Sequence, residues 1–197
     1  MKTWKDLKEK IINTFPRYKD GLNSPANEAD IQEIEKMASV SLPESYFSIY
    51  RECDGEKNNQ VGFLFGLSLL PLESVKDEMT TMYEIIEDGL DGLDDFCESK
   101  VEGFIKHDYL NKKWIPIFAD WGGNYIGLDF DPGPNGTIGQ VINFGRDEDI
   151  KYVLASSLEN LIDKLFNLID EQDVNVNSDG EYNYKDLHFI DALKTIA

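Results

Sequence analysis

The stretch Asn175-Val-Asn-Ser-Asp-Gly-Glu-Tyr-Asn-Tyr-Lys-Asp186 has the oxygen spacing of a calcium loop. An EF-hand loop takes side-chain oxygens at positions 1, 3, 5, 9 and 12, a backbone carbonyl at 7 and glycine at 6. Here those places hold Asn175, Asn177, Asp179, Asn183 and Asp186, with Glu181 at the carbonyl position and Gly180 at the turn. Asn in the first place removes a charge, and the short Asp186 supplies one oxygen where Glu gives two, so the expected site is weak. The same run also reads as a polar Asn/Asp/Gly turn between two helices. No other cofactor is implied.

Carboxylates are the other chemistry on offer. Asp129 and Asp131 share one face of a strand by two-residue alternation and lie beside a turn, where solvation is the ordinary expectation. Asp91, Asp94, Asp95 and Glu98 lie in an acidic stretch over 87–112 that suits contact with a basic protein. Trp121 beside Gly122-Gly123-Asn124 reads two ways. It is either a partner anchor rimmed by Asp120, Asn124, Asp129 and Asp131, or a core side chain folded back. The chain has no Gly-x-Ser-x-Gly elbow, phosphate loop, dinucleotide fingerprint or His-Glu-x-x-His helix. With only two histidines, His107 and His188, general-base chemistry has little to draw on, and an enzyme is not expected. Cys53 and Cys97 lack metal-ligand spacing and do not suggest an oxidising compartment.

The elements that must position these groups are readable. Trp114 to Asp131 alternates apolar residues on either side of Gly122-Gly123-Asn124, which predicts a hairpin, and Gln140–Phe144 predicts a third strand. Residues 61–70 read as a strand pair or one bent strand joining the same sheet. Helices are predicted after a capping box at Thr3 and Asp6, after Asn27 with Asp30, after Pro43, and after Pro71-Leu72-Glu73. The strongest follows Ser156-Ser157, with Leu158, Leu161, Ile162, Leu165, Leu168 and Ile169 as its stripe. Residues 87–112 read as an acidic, partly helical insertion with Phe96, Val101, Phe104 and Ile105 on its apolar side.

At 197 residues, with 41% hydrophobic residues, the chain suits one core. The expected fold class is α+β: a mainly antiparallel central sheet with amphipathic helices packed on it, one domain with a C-terminal helical extension. The expected limits are a first helix in 1–23, the domain proper in 24–170 and a loop-helix extension in 171–197. A net charge of -19 disfavours nucleic acid and anionic membranes and favours a basic protein partner. Without an apolar span or a signal-like amino terminus, a cytoplasmic location is expected.

Leu42-Pro43-Glu44-Ser45-Tyr46, Asp54-Gly55, Trp114-Ile-Pro-Ile-Phe-Ala-Asp120, Gly123-Asn124 and Leu128-Asp129 occur in an order that resembles the SUKH superfamily over about residues 24–169. The final loop separately resembles the calcium loops of dockerin modules. SUKH proteins include bacterial immunity proteins that neutralise toxins and yeast regulators of glucan synthesis. The resemblance implies binding without catalysis. Its first expectation is an immunity protein whose partner is a basic toxin domain, such as a nuclease. A cytosolic regulatory scaffold, or a calcium-modulated binding module, is the alternative.

Overall fold

The computed structural model describes all residues except 58–61, 65, 91, 121, 170–173, 177–181, 185, 186, 188 and 196. The described elements, in chain order, are α1 (Trp4–Thr14), α2 (Glu28–Ala38), α3 (Glu44–Glu52), β1 (Ser68–Leu69), α4 (Leu72–Asp88), β2 (Glu98–Ser99), β3 (Trp114–Ala119), β4 (Asn124–Asp129), β5 (Gln140–Gly145), β6 (Ile150–Lys151), β7 (Val153–Ala155), α5 (Leu158–Leu168), β8 (Val174–Val176), β9 (Tyr182–Tyr184) and α6 (Phe189–Lys194). Short 3-10 turns occupy Pro16–Asp20 and Leu93–Phe96.

Helix starts follow from their capping chemistry. Thr3 and Asp6 form a reciprocal capping box at α1, and the Ser157 hydroxyl accepts from the Asn160 amide at α5. Asn27 occupies the cap position of α2 but makes no side-chain bond to the helix backbone; its amide reaches only the Asp30 carboxylate, at 3.4 Å. The apolar stripes face inward as their spacing requires: Trp4, Leu7 and Ile11 of α1 and Leu158, Leu161 and Leu165 of α5 are all buried.

The strands form a five-stranded antiparallel sheet in the order β1-β3-β4-β5-β7. Every residue of β3, β4 and β5 is buried, so both faces of the sheet centre are covered. Register places Trp114, Asp129 and Gln140 side by side, with Tyr125 and Phe144 further along the same face. The opposite face carries Phe118 and Ile126, and Trp4 of α1 packs on Phe118 with ring centroids 6.2 Å apart. This α+β arrangement is the one expected.

The structure adds detail to three local expectations. Among the described residues of 61–70, Ser68 and Leu69 pair with β3, and Leu64 and Leu67 form an isolated bridge. Gly62 decides that geometry: a Cβ there would lie 2.1 Å from the Gly66 carbonyl carbon, so the chain doubles back on itself. The 87–112 insertion is partly helical as expected, in the last turn of α4 and one 3-10 turn, and it also contributes β2, which runs parallel to β6. After α5 the chain forms the antiparallel β8–β9 pair, with Asn175 opposite Asn183.

Candidate functional site

Asp129 shows how the sheet holds the insertion. Its side chain has no exposure, contrary to the expected solvation. Oδ1 accepts from the Trp114 indole at 3.0 Å and from the Asp131 amide at 2.9 Å, and Oδ2 accepts from the Gln140 side chain at 2.9 Å. Burial pushes the carboxyl above the usual carboxylate range, opposed by these donors. Gln140 also donates to the Phe104 carbonyl at 2.9 Å, so one side-chain amide ties sheet and insertion together. Asp131 pairs with Lys106 at 2.6 Å and accepts from Asn111 at 3.0 Å. Partial burial opposes its charge, but these partners outweigh it and hold the carboxyl below its ordinary value.

Lys151 lies beneath the same region. It is fully buried, donates to the Glu148 carbonyl at 3.2 Å and stands 5.6 Å from the centre of the Trp114 ring. Its neighbour Ile150 pairs with Glu98 across the β2–β6 ribbon, and the alternation that buries Ser99 and Lys151 turns Glu98 and Ile150 outward. Two further bonds set the ribbon's approach: Asp94 accepts from the Tyr109 amide at 2.5 Å, and Ser99 accepts from the Ile105 amide at 3.3 Å.

The outer surface built on this frame is both apolar and acidic. Phe96 is 71% exposed and Val101 58% exposed, with Leu93 and Ile150 also open to solvent. Beside them, Asp94, Asp95, Glu98, Glu102 and His107 line a cleft of about 640 Å³. His107 and Glu102 stand 3.6 Å apart at its rim. Ile105 is buried and Tyr109 half-buried, while Asp95, Glu98 and Glu102 are exposed. Such a surface can bind a cationic, partly apolar partner; a position for a reacting atom is not defined by it.

Other nominated residues are placed differently. Asn124 is only 6% exposed and clamps two turns, bonding Asp120 and Asp147, which with the burial of Asp129 takes both out of the surface. Asp91 and Trp121 lie outside the described residues, as do Asn177, Asp179, Glu181 and Asp186 of the calcium-type loop. Among the described residues no group of three or more His, Cys, Asp or Glu side chains is placed to hold a metal. Sequence reasoning passed over Gln140 and Lys151. Gln140 carried no signal beyond opening a strand, and a lysine beside a loop reads as surface.

A sequence profile described as the SMI1 / KNR4 family (SUKH-1) matches residues 25–164. The chain belongs to this family. It is 33% identical over 143 residues to a cell wall biosynthesis/cell cycle regulator, smi1, of Schizosaccharomyces pombe, a match covering 67% of this chain and 28% of that protein. It is 27% identical over 207 residues to the cell wall assembly regulator SMI1 of Saccharomyces cerevisiae, covering 84% of this chain and 41% of that one. A glucan synthesis regulatory protein of Neurospora crassa is 27% identical over 188 residues, covering 79% and 35%. This SUKH-1 chain spans less than half the length of each of these relatives. No described helix is long and apolar enough to cross a membrane.

Proposed function

We propose that this chain is a cytoplasmic, non-enzymatic protein-binding module of regulatory type, which holds a basic protein partner on the outer face of its 87–112 insertion. The observation that carries the reading is a cleft lined by the carboxylates of 94–102, with Leu93, Phe96 and Val101 exposed in the same segment and Ile150 exposed on the strand paired with it. Desolvating apolar side chains supplies affinity, and the acidic rim supplies steering and orientation. Residues 24–170 form the binding module in this reading, with 1–23 and 171–197 as flanking pieces. The relatives' names support regulation in preference to toxin neutralisation, since each describes a regulator of cell-wall or glucan synthesis or of the cell cycle.

The test is capture of partners by the wild-type chain and by a variant carrying Asp94→Asn, Asp95→Asn and Glu98→Gln, followed by association kinetics from low to high salt. The expected result is a partner that associates more slowly with the variant and whose on-rate loses most of its salt dependence there. Partners that bind both chains at equal, salt-insensitive rates would remove the acidic face from the proposal.

A further inference from the structure

We infer that two cavities on either side of β2 act together as a receptor for one extended segment of the partner, carrying an arginine or lysine close to a large apolar residue. The inference rests on the protein-binding reading above and adds the chemistry of what is bound. Ser99 lines both cavities, which makes β2 the wall between them. On one side is the carboxylate cleft. On the other is a more enclosed, mainly apolar cavity of about 360 Å³, lined by Lys100, Val101, Phe104, Tyr152, Val153, Lys194 and Ala197.

The second cavity is near the low end of the range for ligand sites, about 300–1,000 Å³, and suits a single aromatic or branched aliphatic side chain. Its charges set polarity. The ammonium groups of Lys100 and Lys194 stand 5.5 Å and 6.0 Å from the centre of the Tyr152 ring. Lys100 repels a second guanidinium, so a basic group is directed across β2 into the carboxylate cleft and the apolar group is left for this side. An anionic occupant is disfavoured, because Lys194 already pairs with Glu148 at 2.7 Å and Asp191 at 3.0 Å and the chain carries -19 overall. Val101 and Phe96 stand exposed beside the two cavities, as residues of a water-excluding ring would. A segment bound in this way has one orientation, with its cation on the Glu98 side and its apolar anchor on the Tyr152 side.

The probe is a synthetic series, acetyl-Arg-(Gly)n-Phe-amide with no, one, two or three glycines, titrated into the isotopically labelled full chain and followed by backbone amide shifts. At least one spacing should give saturable shifts both at Glu98–Glu102 and at Tyr152–Val153. Replacing the peptide's phenylalanine with alanine, or its arginine with glutamate, should each weaken binding by about fivefold or more. In the protein, Val101→Asp should abolish the Tyr152–Val153 response and spare the acidic one; Asp95→Lys with Glu98→Lys should do the reverse. These positions are solvent-exposed, so dispersed spectra of the variants will show the fold intact. Shifts confined to one cavity, or an alanine peptide that binds equally well, would overturn the two-cavity inference. Inert peptides together with a partner lost from the Asp94/Asp95/Glu98 variant would also overturn it while leaving the protein-binding reading in place.

Discussion

Glu56 is 5% exposed, and its Oε1 accepts the backbone amides of both Phe63 and Leu69, while Oε2 is buried with no hydrogen-bond partner among the described residues. Burial raises its pKa from 4.5 to about 7, opposed by those two amides. The folded chain therefore holds this proton more tightly than the unfolded chain. Its contribution is fully present below the unfolded value of 4.5 and is lost as pH rises through about 7. The limit of that loss is about 3 kcal/mol at 1.36 kcal/mol per unit. Glu56→Gln keeps an acceptor for the two amides and cannot ionise. Denaturant unfolding of wild type and variant at pH 5 and pH 8 should show the variant gaining relative stability at the higher pH. A constant difference between the two proteins would show that Glu56 does not titrate in this range. Single-residue roles were the least legible part of the sequence. Asp129 and Lys151 are charged residues next to loops, and local pattern assigns such residues to water. What buries them is the insertion and the ribbon, brought over the sheet from elsewhere in the chain.

At the scale of elements, sequence and structure agree where one local signal decides the outcome. The α1 capping box, the α5 stripe, the β3–β4 hairpin and β5 all depend on neighbours within a few residues. They part where pairing is remote or the chain crosses itself: β2 on β6, the doubling at Gly62 and Gly66, and the β8–β9 pair. The sheet contains another close crossing. Gly127 sits opposite Pro116, and a Cβ there would meet the Ile115 carbonyl oxygen at 2.1 Å. Gly127→Ala should therefore separate β3 from β4 and cost about 3 kcal/mol or more, seen as a large fall in the unfolding midpoint. A stable, unshifted variant would mean that the two strands lie further apart than the register indicates.

For the molecule as a whole, order of motifs carried the fold: pieces that are weak singly occur in a sequence that fits an α+β chain of the SUKH-1 family. The 93–107 surface was legible only as an acidic stretch. Its apolar half emerges from tertiary placement, because Ile150 reaches it through a parallel pairing that no local rule predicts. The charge of -19 also has a cost in self-repulsion. Raising sodium chloride from low to several hundred millimolar should lift the thermal midpoint by several degrees, and a flat response would show the charges already compensated. The two cysteines add an internal timekeeper. Cys53 lies in the main core at the end of α3, its thiol pushed up to about 11 by burial, and Cys97 lies immediately before β2, 3% exposed and likewise raised by burial. Cys53 can be reached by a thiol reagent only after an opening event, whereas Cys97 lies at the wall of the carboxylate cleft and needs only a local one. Cys97 modification then counts the breathing of the ribbon and Cys53 modification counts unfolding of the core, so the ratio of two labelling rates on one chain measures how independently the binding face moves.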